Sequence, residues 1–115
     1  MVDRSDQRLD AIFHALADPT RRAILGMLAQ REHAIGELAP AFPISGVAVS
    51  KHVRTLEAAG LVTRRVRGRS HLCRLDPVAL LEAHRWLGGY QRFWSERLDA
   101  LEALLEEMKR EPDGR

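Results

Sequence analysis

Between Ser45 and Leu75 the chain reads SGVAVSKHVRTLEAAGLVTRRVRGRSHLCRL, an order that few folds accommodate. A helix-sized block opens on a capping serine and stops at Gly60. Two strand-sized blocks follow, Leu61 to Val66 and Ser70 to Leu75, with Arg67, Gly68 and Arg69 at the bend. The run holds seven Lys/Arg against one acid, Glu57, a net charge of +6. A helix followed by a basic hairpin suits the phosphates and grooves of duplex DNA.

The basic character is local, because the whole chain carries a formal charge of only +2. Residues 1–76 hold twelve bases and eight acids, whereas residues 77–115 hold six and eight, so the front faces an anion and the tail has another task. The length of 115 residues fits a single domain over 1–115 and is too short for two independent ones. No apolar run approaches a membrane span, and the start MVDRSDQRLD lacks the apolar block of a secretion signal, so a cytoplasmic protein is expected. The single cysteine, Cys73, allows no internal disulfide and no Cys-pair metal spacing, which fits a reducing compartment.

Leu9, Ile12, Phe13 and Leu16 share one stripe of a first helix over about 5–17. Asp18 caps the next helix with Pro19 at its first position, and Ile24, Leu25 and Leu28 face inward. A short third helix over about Ala34 to Ala41 buries Ile35 and Leu38 and breaks at Phe42-Pro43, with its last turn disturbed by Pro40. The fourth, Gly46 to Ala58, faces inward with Val49, Val53 and Leu56 and outward with Val47, Ser50, Lys51 and Arg54. Residues 34–59 therefore have the pattern of a helix-turn-helix, and the slim fourth helix is its reader, because the major groove admits only a helix able to meet base edges. The hairpin over 61–75 is a wing, with Arg67 and Arg69 at its tip and Arg64, Arg65 and Arg74 adding charge on its flanks.

From Pro77 one long helix can run to Lys109. Leu80, His84, Leu87, Gln91, Trp94, Leu98, Leu101, Leu105 and Met108 alternate steps of four and three, with Trp86, Tyr90 and Phe93 as a second stripe. That face is wider than a lone surface helix needs, so the helix is expected to pack on its own domain and on another subunit. Gly88-Gly89 is where it would break, since each glycine costs about 1 kcal/mol against alanine in a helix interior.

Four segments, ALADPTRRAIL, IGELAPAFPIS, AVSKHVRTLEAAGLV and YQRFWSERLDALEALLEE, resemble the ArsR family of bacterial winged-helix repressors, in the family's order over residues 8–107. The resemblance implies a mainly α fold of about five helices with a small β-hairpin wing. It also implies a homodimer joined through the first and last helices (5–17 and 77–109), repressing transcription from an inverted-repeat operator. The implied dimer residues are Leu9, Ile12, Phe13, Leu16, Trp94, Leu98, Leu101 and Leu105. The DNA-contacting set is Ser45, Gly46, Val47, Ala48, Ser50, Lys51, His52 and Arg54 on the reader helix, with Arg67 and Arg69 on the wing. Where relatives often start this helix with a polar or bulky residue and then proline, this chain has Gly46 and Val47, so backbone approach and van der Waals contact are expected to replace a side-chain hydrogen bond there. Metal-sensing members carry a cysteine pair in the third helix; AIGELAPA has none, and Asp76, Glu82 and His84 are too few for the family's second site. The FPIS turn and the FWSERLD tail resemble the non-metal branch, so no metal and no cofactor is expected.

Several residues carry two readings. His52 borders the inner face and is either a packing residue or one that also touches a phosphate. Cys73 is a small buried hydrophobe or a redox group lacking a resolving partner. The Trp86, Tyr90, Phe93 and Trp94 cluster fills a junction or lines an effector pocket. No catalytic constellation stands out, so an enzyme is not expected. The rival to a DNA-binding regulator is a winged-helix module that binds protein and has no specific operator.

Overall fold

A computed structural model of the chain describes residues 4–110. The ends of the expected 1–115 domain lie outside the described residues. Contacts divide the chain after Ala83 into two compact units.

In the first unit, α1 (Arg4–Leu16) is followed by α2 (Pro19–Gln30), whose cap is as the sequence predicts: the Asp18 carboxylate accepts from the Arg21 backbone N–H at 3.0 Å, and Pro19 opens the helix. That hydrogen bond is the chief reason the Asp18 carboxyl is held below its ordinary range. The next segment differs from expectation. A two-residue strand, β1 (His33–Ala34), precedes the short α3 (Ile35–Leu38), and Ala39–Ala41 tightens into a 3₁₀ turn because Pro40 supplies no N–H for the longer bond. The Glu37 side chain accepts from the Ala34 N–H at 3.0 Å, closing the start of α3.

The fourth helix, α4 (Gly46–Ala58), is capped by Ser45, whose Oγ accepts from the Ala48 N–H at 3.1 Å. It stops at Gly60, where φ is +79°. The Gly60 N–H bonds to the Glu57 carbonyl and the Leu61 N–H to the Leu56 carbonyl, the paired closure that a left-handed glycine permits. Strands β2 (Val62–Arg67) and β3 (Ser70–Leu75) form the hairpin. Gly68 (φ +62°) is the only residue of the turn with positive φ, the signature of a type II′ connection. β1 adds to the far edge of β3, giving a three-stranded antiparallel sheet in the order β1-β3-β2. His33, Cys73 and Arg64 share one cross-strand row.

The core of this unit gathers Ile12 and Ala15 from α1, Ile24, Leu25 and Leu28 from α2, Leu38, the α4 stripe Val49, Val53 and Leu56, and Leu61, Val62 and Cys73. Cys73 is fully buried, and burial pushes its thiol pKa up, which suits the packing reading. Ala79 and Ala83 close the core from α5 (Pro77–Gly88).

The last helix is not continuous. α5 ends at Gly88 and α6 (Gln91–Arg110) begins after Gly89 and Tyr90, where adjacent glycines remove side-chain support for the helical backbone. Within the second unit, the Trp86 and Tyr90 rings meet at a tilt of 58° with centroids 5.3 Å apart, Phe93 and Trp94 meet edge-on at 5.8 Å, and Arg97 sits 4.4 Å over the Phe93 ring. The break makes six α-helices among the described residues in place of about five.

Candidate nucleic-acid interface

α4 is held from behind and open in front. Its inner stripe is fully buried, while Gly46, Val47, Lys51 and Arg54 are exposed and Ala48, Ser50 and His52 are half-buried. Val47 is 68% exposed although apolar, so the start of the helix offers a small hydrophobic contact as well as free backbone beside Gly46. The Ser45 Oγ accepts the capping bond from the Ala48 N–H, which leaves its O–H as a donor on the exposed side.

His52 meets α2 directly. Its Nδ1 lies 3.2 Å from Arg21 Nη1 and 3.9 Å from Asp18 Oδ2. A guanidinium only donates, so Nδ1 accepts and the ring proton resides on Nε2. The same arginine donates from Nε to the Ala15 carbonyl at 2.7 Å and from Nη2 to the His14 carbonyl at 3.0 Å, binding the end of α1, the start of α2 and the reader helix together. The sequence reading did not single out Arg21. Two of its partners are backbone carbonyls at the α1 terminus, which carry no side-chain signature.

On the hairpin the arginines separate into two classes. Arg64 pairs with Glu57 and Arg65 with Glu32 at 3.1 Å, so these two do not add free charge to the flanks as expected. Arg67, Arg69 and Arg74, like Lys51 and Arg54, are exposed and have no acidic partner among the described residues. The basic run is therefore narrower than its count: the unpaired cations lie on the outer face of α4 and along the hairpin. Among the described residues no three His, Cys, Asp or Glu gather to hold a metal ion, and no helix is long and apolar enough to cross a membrane.

The expected dimer residues divide as well. Ile12 is only 1% exposed and belongs to the core, so it supports α1 from within instead of meeting a second chain. Leu9, Phe13 and Leu16 are half-buried, and Trp94, Leu98, Leu101 and Leu105 are exposed on α6.

Comparison with known proteins meets this geometry. Residues 16–65 match the family described as a helix-turn-helix domain. The HTH-type transcriptional regulator Rv2034 of Mycobacterium tuberculosis is 40% identical over 97 residues, covering 84% of this chain and 88% of that protein. The crystal structure of the ArsR family transcriptional regulator RHA00566 superposes with a TM-score of 0.73 at 34% identity, over 83% of this chain and 97% of that one. The chain belongs to the ArsR family of winged helix-turn-helix transcriptional regulators. Its hairpin is the family's wing, and its relatives are DNA-binding regulators of transcription rather than enzymes. A further structure, the homodimeric winged helix-turn-helix DNA-binding domain of Mb0332 from Mycobacterium bovis, described as a possible ArsR-family transcriptional regulator, has a TM-score of 0.60 at 28% identity over 76% of this chain and 82% of that one.

Proposed function

We propose that this ArsR-family protein is a cytoplasmic homodimeric repressor that reads an inverted-repeat operator, each subunit laying α4 in a major groove and its wing along the flanking backbone. The observation that carries this reading is the sorting of cations: Arg64 and Arg65 are paired with Glu57 and Glu32, while Lys51 and Arg54 on the slim outer face of α4 and Arg67, Arg69 and Arg74 on the hairpin are exposed with no acidic partner among the described residues. Residues 34–59 form the helix-turn-helix and 61–75 the wing. Ser50, Lys51 and Arg54 meet base edges or adjacent phosphates. Gly46, Val47 and Ala48 let the backbone approach, and Ser45 contributes by fixing the helix start. His52, held at Nδ1 by Arg21, offers Nε2–H to a phosphate. Arg67 and Arg69 grip the backbone or the minor groove beside it.

The dimer is supported by the exposed apolar stripe of α6, Trp94, Leu98, Leu101 and Leu105, by Leu9, Phe13 and Leu16 on α1, and by the homodimeric state of the Mb0332 domain. Two copies about a twofold axis match a palindromic site. The test is fluorescence anisotropy with a duplex from the protein's own promoter against one of random sequence, across a salt series. Salt-sensitive binding that prefers the promoter is expected. Equal affinity for both duplexes, or none for either, would favour the protein-binding module instead.

A further inference from the structure

The sheet has an outer face that the reading of DNA leaves unused. Thr63 and Arg65 of β2 alternate with the inward Val62, and the register sets Leu72 opposite Arg65 and Arg74 opposite Thr63. With Arg64 and Glu32 these residues line a cleft of about 160 Å³. Its three guanidiniums are not equivalent. Arg64 is engaged by Glu57, Arg65 donates to Glu32 across the sheet at 3.1 Å, and Arg74 is exposed with no acidic partner among the described residues. Continuing the β1 pairing back by one residue brings Glu32 level with Arg74, yet its carboxylate lies on Arg65. One cation in the cleft is thus uncompensated, and the other is compensated only by an ion pair in which Arg65 is 61% and Glu32 36% exposed.

We infer that this cleft is a binding site for a small oxyanion, a phosphate or dicarboxylate, held between Arg65 and Arg74, with the Thr63 hydroxyl as a further donor and Leu72 as an apolar wall. Guanidiniums recognise such anions through paired N–H donors, and two of them from adjacent strands converge on one opening. Glu32 is the resident competitor. An exposed ion pair contributes little net stability, so a dianion displaces this carboxylate at small cost. The volume is that of about five water molecules, enough for inorganic phosphate or a compact phosphate ester and too small for an extended ligand. The site also lies apart from the wing tip: Thr63 is five residues before Gly68, roughly 17 Å along the strand.

The phosphate chemistry has two sources, a free small anion or a phosphate of the DNA backbone, and one set of measurements separates them. Inorganic phosphate is titrated into the DNA-free full chain at constant ionic strength, with the backbone amide NMR shifts of Thr63, Arg65, Leu72 and Arg74 as the readout. The expected result is saturable shifts confined to these residues, weakened several-fold in Arg74→Ala, strengthened in Glu32→Gln and unchanged in Arg67→Ala. An unchanged unfolding midpoint for Arg74→Ala verifies its fold, and the gain in Glu32→Gln tests the site without depending on that variant. Shifts that stay linear in phosphate, or that saturate equally in Arg74→Ala, overturn the site. The source follows from the affinity of the chain for a mixed-sequence duplex across a salt series. A slope shallower by about one unit in Arg74→Ala assigns the site to a backbone phosphate, and an unchanged slope assigns it to a free anion.

Discussion

α4 hides Val49, Val53 and Leu56 completely, whereas α6, with 20 residues, buries no side chain at all. Both helices are amphipathic, and the contrast lies in what has been done with the apolar face. α4 has spent its stripe on its own core and turns a small, polar and cationic face outward. α6 leaves Trp94, Leu98, Leu101, Leu105 and Met108 about half exposed or more. A run of that kind on a small chain marks a surface suited to a partner, and in the proposed homodimer a second copy would supply a matching stripe about a twofold axis. The difference teaches that one helix is finished by folding, and under the proposed function the other is finished by assembly.

The largest expected effect tests the assembly side. Leu98→Asp with Leu105→Asp places charge in the α6 stripe and should yield monomers in sedimentation velocity, with operator affinity falling about 100-fold or more as the two half-sites lose their linkage. A double variant that remains dimeric removes α6 from the seam. Next comes the folding side. Leu56→Ala empties a fully buried position and should cost about 2–5 kcal/mol in urea unfolding, while Leu101→Ala, assayed below the dimer dissociation range, should leave the midpoint almost unmoved. Similar losses for both would erase the distinction between the helices.

A smaller effect sharpens the account of the charged face. Arg67→Ala with Arg69→Ala should weaken binding to all duplexes and flatten the salt slope by about one unit per lost phosphate contact. Lys51→Ala or Ser50→Ala should instead change the preference among operators. The smallest effect concerns the α2 cap that braces the reader helix. The Asp18 carboxyl is held low in the folded state, chiefly by the Arg21 N–H, so its contribution is present above the ordinary carboxylate range and is lost as pH falls through the depressed folded value. Asp18→Ala should lower the thermal midpoint by a few degrees at pH 7. The gap between the two proteins should close under acid, and a constant gap down to pH 2 would contradict this cap.

Much of this was legible in the residues because the deciding interactions are local. The Asp18 and Ser45 caps, the Gly60 stop and the Gly68 turn act within a few positions, and each is where the sequence puts it. What stayed hidden depends on tertiary neighbours. β1 has two residues and no periodicity, and it exists because β3 offers an edge to His33 and Ala34. The neutralisation of Arg65 by Glu32 joins positions 33 residues apart. Ile12 shares the helical stripe of Leu9, Phe13 and Leu16, and only packing separates a core position from half-buried ones. In the candidate site, Lys51, Arg54, Arg67 and Arg69 are exposed as expected, while the clamp of Arg21 on His52 joins positions 31 residues apart and leaves no local signal.

The central claim, a twofold reader of one palindromic site, is tested most directly by hydroxyl-radical footprinting on the DNA upstream of the protein's own gene. The account predicts two protected segments related by a dyad and centred about one helical turn or a multiple apart, both lost together in the Leu98→Asp, Leu105→Asp variant. A single unsymmetrical footprint, or uniform protection without a preferred site, would contradict it.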